Sequence, residues 1–291
     1  MPFLFPWPRD FHVTRDKGCS FYFLPDAAEC LNRTKAYIFE NEIYPALDVV
    51  EEGRAVYLLS REGAVLKYNR IRHWKSRLRK SFAFLNTKGK YCLLDEFNNL
   101  SKLSGSDLVP QVYGYGYRRA LGLLKHEYLV LEYFDGSVSV DDALRSKGET
   151  PEIILPRVFE LFKNMLNQGF VHMDPHPKNI MIMPAGALKL IDFECCAFDV
   201  VDRSFCLAFC LGYFYHFWFF QFMQEQQYDQ FVFQFIDTSE VILEGDFWLL
   251  YNHFKRHKVS RSLRYQCFLS VSARKEFLAR CLRIVRDDSR C

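Results

Sequence analysis

The chain has 291 residues, of which 49% are hydrophobic and 25% charged, and its formal net charge is +3. That balance excludes a disordered polar chain and a molecule basic throughout, and leaves one large domain or two small ones, each with a sizeable core. Ten cysteines without a Cys-x-x-Cys pair exclude a disulfide scaffold and read as free thiols of a reducing cytoplasm. The opening MPFLFPWPRDF has neither a basic start nor an apolar run, so no export signal is expected there.

In chain order, residues 1–45 mix aromatics, prolines and polar residues without a period, and stand as an N-terminal extension of unclear role. Residues 55–59 and 64–68 are short apolar runs separated by Arg61, Glu62 and Gly63, a hairpin pattern, with a strand before them ending near Glu51. A one-signed stretch follows. Arg70, Arg72, Lys75, Arg77, Arg79, Lys80, Lys88 and Lys90 stand where no acid occurs between Glu62 and Asp95. Such a run is usually a solvated face, but self-repulsion without counter-ions also suits an anionic partner. Leu93, Glu96, Leu100 and Leu103 then fall on one helical face. Residues 110–117 and 128–133 read as two further strands.

After a break at Gly148–Pro151 the pattern turns helical. Val158, Leu161, Phe162, Met165 and Leu166 have helical spacing, and Gly169 stands where a C-terminal cap belongs. Two short strands, 180–183 and 188–191, flank a turn at Pro184 and Gly186. Phe205 to Met223 carries no formal charge over a length that just reaches a short membrane span. Its position directly after the chemistry-bearing residues favours a buried helix. A second basic cluster, Lys255, Arg256, Lys258, Arg261 and Arg264, could extend the first basic surface. The order is a β-rich front at 46–134 and a helix-rich back at 135–291, an α+β layout of two lobes.

The chemistry concentrates in His172-Met-Asp174-Pro-His176-Pro-Lys178-Asn179 and in Asp192-Phe193-Glu194. Phosphoryl transfer needs a carboxylate at the acceptor hydroxyl, oxygen ligands for magnesium and a cation for the phosphates. Asp174 offers the first, Asn179 and Asp192 the second. His-x-Asp-x-x-x-x-Asn followed by Asp-Phe resembles the catalytic and metal-binding loops of the protein-kinase-like superfamily.

That resemblance implies a small β-rich N-lobe, a larger helical C-lobe, and ATP with Mg²⁺. It implies that Lys67 holds the phosphates with Glu96 as its partner, and that Glu132 and Tyr133 lie in the hinge that meets the adenine. A carboxylate on a leucine stripe also needs a nearby cation on physical grounds. His172 is expected to hold the loop through backbone near Asp192. His176 stands either at the γ-phosphate or packed on the loop, and Lys178 either at phosphate or in solvent.

The sequence departs from protein kinases in three places. No Gly-x-Gly-x-x-Gly precedes Lys67, so a phosphate-covering turn is placed around Glu51–Arg54. Glu194 replaces glycine, and His176 replaces the usual lysine. These features are similar to small-molecule kinases of the aminoglycoside and choline type, and most closely to bacterial lipopolysaccharide core kinases. The resemblance spans roughly residues 50–215. It implies an anionic sugar acceptor such as the lipopolysaccharide core glycolipid, and a cytoplasmic enzyme peripheral to the inner membrane. Nucleic acid is not expected, because no binding module accompanies the charge. The rivals are a kinase of a soluble alcohol and a nucleotide-binding pseudokinase.

Overall fold

A computed structural model describes residues 10–40, 43–51, 53–59, 63–81, 92–198, 202–239 and 241–288. The chain divides into two compact units, Met1–Asp135 and Gly136–Cys291.

The first unit is built on an antiparallel sheet. Its elements are β1 (His12–Asp16), β2 (Cys19–Phe23), α1 (Ala28–Phe39), β3 (Ala46–Glu51), β4 (Arg54–Leu59), β5 (Ala64–Arg70), α2 (Trp74–Ser81), α3 (Leu93–Lys102), β6 (Val112–Ala120) and β7 (Leu123–Glu132). Seven strands run in the order β1-β2-β6-β7-β5-β4-β3. The stretch before residue 45 is thus integral: β2 pairs with β6 along its whole length, and α1 packs on Phe21, Phe23, Leu66 and Val130. Alternation hid this, because both sheet faces are covered and aromatics occupy each.

Gly114 and Gly116 in β6 lie opposite Phe23 and Phe21, and a Cβ on either would fall within 2.3 Å and 2.8 Å of those rings. Tyr115 and Tyr117 between them point to the other face, where Tyr115 meets Phe97 of α3. β7 starts at Leu123, earlier than residue 128, because β6 extends to Ala120 and pairs with it. Residues 61, 62, 88 and 90 lie outside the described residues, as does Glu52 of the turn assigned to phosphate. Its neighbour Gly53 has φ +102°, and a Cβ there would sit 3.2 Å from the Arg70 carbonyl, so both conformation and space require glycine.

The second unit holds β8 (Val138–Ser139), α4 (Val140–Arg145), α5 (Pro151–Asn167), β9 (Phe170–His172), β10 (Ile180–Ile182), β11 (Leu188–Leu190), β12 (Cys196–Phe198), α6 (Arg203–Phe217), α7 (Glu225–Thr238), α8 (Phe247–Arg256), α9 (Arg261–Leu269) and α10 (Val271–Asp288). β10 pairs with β11 and β8, and β9 pairs with β12. α5 buries Val158, Leu161, Phe162, Met165 and Leu166, and Gly169 follows at φ +80°.

The uncharged segment forms α6, whose residues Ser204 to Tyr215 are all buried. It crosses α8 at Gly212, where a Cβ would come within 2.6 Å of the Tyr251 carbonyl. Among the described residues no helix is long and apolar enough to cross a membrane. The nine described cysteines are all buried free thiols.

Candidate active site

The residues singled out by sequence fall in both units and are described unit by unit. In the first, β5 and α3 are set by ordinary patterning: Leu66 faces the core under α1, so Lys67 faces the opposite side of the sheet. Lys67 Nζ donates to Glu96 Oε1 at 2.6 Å, and Glu96 is fully buried beside Leu93, Phe97 and Leu100. Burying an unpaired carboxylate there would cost several kcal/mol, so Lys67 is held to it.

The hinge residues are partly committed elsewhere. Glu132 N–H donates to the Gln111 carbonyl and Tyr133 N–H to the Gly63 carbonyl, at 2.9 and 2.8 Å. An adenine role for Glu132 and Tyr133 therefore rests on their carbonyl oxygens.

The basic run has an internal counter-ion. Glu127 on β7 is fully buried and accepts from Lys80 Nζ of α2 at 3.1 Å and from Asn69 Nδ2 at 2.9 Å. The reading of an unopposed run fails at Lys80, because its acid arrives 47 residues later across the sheet. The outer side of α2 does fit the surface reading. Trp74 is 64% and Leu78 36% exposed, beside exposed Arg72, His73 and Lys75.

In the second unit the loop after β9 is held from several sides. His172, fully buried, bonds through Nε2 to the Ile191 and Asp192 carbonyls, both at 3.0 Å, and its Nδ1 accepts from Asp174 N–H at 3.2 Å. Burial lowers its pKa, which keeps the ring neutral and so able to donate at one nitrogen and accept at the other. Asn179 Nδ2 donates to the Asp174 carbonyl at 3.1 Å, which turns its Oδ1 the other way. Asp192 sits at the end of the β10–β11 hairpin in a left-handed conformation, φ +66°. A non-glycine residue held there is a mild strain, of a kind that collects at functional sites.

His176 Nδ1 accepts from Lys178 N–H, and the His176 ring lies 6.3 Å from Trp218 at the end of α6. The exposed Lys178 places Nζ 4.9 Å over the Trp218 ring. Burial also lowers the His176 pKa.

Two groups at Asp174 were not foreseen. Tyr213 of α6 donates a hydrogen bond to Asp174 Oδ1, and Arg264 Nη1 of α9 lies 3.1 Å from the same oxygen. Arg264 Nη1 also bonds to the Met173 carbonyl and lies 2.8 Å from the Tyr213 hydroxyl. Burial alone would raise the Asp174 pKa; the Arg264 guanidinium and the Tyr213 hydrogen bond overcome it and hold the carboxyl below its usual value. Glu194, the residue in place of glycine, is buried near Arg261 Nη2 at 3.6 Å, and its carbonyl accepts from Tyr265 OH at 3.0 Å.

The second basic cluster is therefore not one surface. Lys255 and Arg264 are buried, the former between Glu225 and Asp229 at 2.9 and 2.7 Å. One of two tyrosines in an apolar helix and an arginine on a mixed one were the only signals for the Asp174 partners.

Residues 108–209 match the model of the ABC1 atypical kinase-like domain, a stretch that runs from before the hinge into α6 and includes the whole catalytic-like loop. Over that stretch the chain is similar to a kinase-like domain. Over 88 residues the chain is 32% identical to maternal embryonic leucine zipper kinase of Danio rerio, covering 29% of this chain and 13% of that one. Over 107 residues it is 32% identical to an uncharacterized protein of Synechocystis sp., covering 32% and 24%. The chain thus matches less than a quarter of the length of each of these relatives.

Among solved structures it is similar to monomeric WbdD, at 20% identity, TM-score 0.45, and coverage of 70% of this chain and 45% of that one. It is also similar to WaaP in complex with acyl carrier protein, at 12% identity, TM-score 0.44, and coverage of 93% and 99%. The kinase-like domain supports phosphotransferase chemistry in general, with ATP as the expected donor.

Proposed function

We propose that this protein transfers the γ-phosphate of ATP to a sugar hydroxyl of the lipopolysaccharide core, working at the cytoplasmic face of the inner membrane. The observation that carries the chemistry is the loop at 172–179. There Asp174 is kept ionised, Asn179 is anchored through its amide nitrogen, and His172 ties both to the backbone of Asp192. Asp174 would accept a hydrogen bond from the acceptor hydroxyl and take its proton as the phosphoryl group arrives. Lys67, steadied by Glu96, would meet the α- and β-phosphates.

The donor set fits magnesium: a carboxylate at Asp192 and an amide oxygen at Asn179 are hard oxygen ligands, and the Asn179 amide is turned with its nitrogen away from that task. Magnesium, when bound, neutralises the phosphate oxygens.

Two features support an anionic sugar acceptor at a membrane. Lys178, His176 and Trp218 make a patch that is both aromatic and cationic beside Asp174, suited to a sugar ring bearing negative charge. The exposed Trp74 and Leu78 among basic residues on α2 suit an anionic lipid surface.

The test is mass spectrometry of the lipopolysaccharide core from cells with and without the gene. The expected result is loss of one phosphate, restored by the wild-type chain but not by Asp174→Ala. A core of unchanged mass would sink the acceptor. A soluble alcohol as acceptor would show instead as phosphate transfer by the purified protein with the core left intact.

A further inference from the structure

Arg261, Arg264 and Tyr265 stand at i, i+3 and i+4 on α9, so they share one face of that helix. That face meets both chemistry-bearing loops of the second unit. Arg264 reaches the Met173 carbonyl and Asp174 Oδ1, while Arg261 and Tyr265 reach the side chain and carbonyl of Glu194, two residues beyond Asp192. Tyr213 from α6 completes the contact: its hydroxyl donates to Asp174 Oδ1, and its ring lies 4.9 Å from the Arg264 guanidinium carbon.

We infer that α9 is a positioning element of the active site, in which Arg264 and Tyr213 hold one oxygen of Asp174 so that the other is presented to the acceptor hydroxyl. This rests on the reading of Asp174 as the acceptor-facing carboxylate.

The contact is poorly explained as a device for stability alone. Arg264 is buried, and its Nε finds no acceptor among the described residues. A buried donor left unsatisfied is costly, and an apolar side chain of similar volume would avoid that cost. What the arginine adds is direction. Nη1 is in reach of three oxygens at once, Met173 O, Asp174 Oδ1 and Tyr213 OH, which fixes both the backbone and the carboxylate of the loop. Reaction rates fall about 10²-fold for a displacement of only about 1 Å at such a group, so a brace of this kind has a large lever.

The helix is itself well set to act as a brace. Ser260 caps it through Leu263 N–H, and Cys267 and Phe268 extend the same buried face by a turn, with the Phe268 ring 4.9 Å from Phe209 of α6.

The experiment uses the full chain with Mg-ATP, following ADP release and separating kcat from the KM for ATP, with thermal unfolding as a fold control. Arg264→Met should lower kcat about 10²-fold while the KM for ATP stays within about twofold. Arg264→Lys, which keeps charge but loses the forked geometry, should regain part of kcat. Tyr213→Phe should lower kcat less than Arg264→Met does. Amide exchange across 173–179 should quicken in Arg264→Met.

A wild-type kcat in Arg264→Met, alongside an inactive Asp174→Asn, would overturn the positioning role and leave the proposed function standing. If Arg264→Met does not fold, Tyr213→Phe decides in the same way. Turnover that survives in Asp174→Asn would instead remove the reading on which the inference rests.

Discussion

The Lys67 pair of the first unit and the Asp174 pair of the second are set in opposite senses. In the first, the acid is the buried member: Glu96 is fully buried and its partner Lys67 is 22% exposed, and Glu127 stands likewise to Lys80. At the Asp174 pair of the second the cation is the buried member, Arg264 being 8% exposed against 32% for Asp174, whereas at Arg261–Glu194 the acid is again the more buried, 4% against 22%. A pair of this kind has one anchor and one working end, because only the less buried group keeps access to a substrate. At these pairs the first unit thus leaves an ammonium as the more exposed group and the second a carboxylate.

The largest effect is expected where anchor and working end are parted in the first unit. Lys67→Met should lower kcat about 10²-fold or more by removing a preorganised charge. It should also destabilise the fold by about 3 kcal/mol, since the fully buried Glu96 loses its ammonium partner. The double variant Lys67→Met/Glu96→Leu should recover most of that stability in denaturant titrations but none of the activity. Recovery of neither would show that Glu96 is not the anchor.

Glu127→Gln is a smaller break. It strands Lys80 without touching Lys67, so unfolding should become easier by about 2 kcal/mol while ATP affinity is unchanged. A loss of ATP affinity would mean that the two pairs of the first unit are not independent.

A pH prediction follows for the first unit. His126 stacks beside Tyr68 and Tyr128, and burial drops its pKa to about 4 from an ordinary 6.5. Between those values the unfolded chain takes up a proton that the folded one refuses, so stability should fall as pH drops through that window. Thermal midpoints of His126→Gln should show a flatter slope there than the wild type. An equal slope would place the acid sensitivity elsewhere, such as at the fully buried His172 of the second unit.

The smallest effects are expected on α2. Lys75→Ala should leave stability within about 0.5 kcal/mol. Binding to vesicles containing anionic lipid should weaken by roughly 1 kcal/mol per charge, more visibly at low salt. Unchanged vesicle binding would remove α2 from the membrane reading.

Most of what was legible in the sequence was local. The β4–β5 hairpin, the leucine face of α3, the α5 stripe with Gly169, the β10–β11 hairpin and the bond from His172 to backbone near Asp192 each arise within one element or between near neighbours. The pairing of Lys67 with Glu96 was readable across 29 residues through the family resemblance, supported by the need of a carboxylate on an apolar face for a cation.

The N-terminal strands were not readable. Phe21 and Phe23 make sense only once Gly114 and Gly116, far along the chain, leave room for their rings. Nor was the division of the basic residues. Lys80 and Lys255 look as solvated as Lys75 or Lys258 until Glu127 and Asp229 are brought to them.

By itself, then, the sequence marked the β4–β5 hairpin, α3, α5 and the β10–β11 hairpin and singled out the loop residues Asp174, Asn179 and Asp192 as candidates, because side-chain period and motif spacing are short-range properties. Tertiary structure alone decided what surrounds Asp174. Tyr213 and Arg264 lie 39 and 90 residues away, and an ion pair formed over such distances leaves no periodicity in the chain.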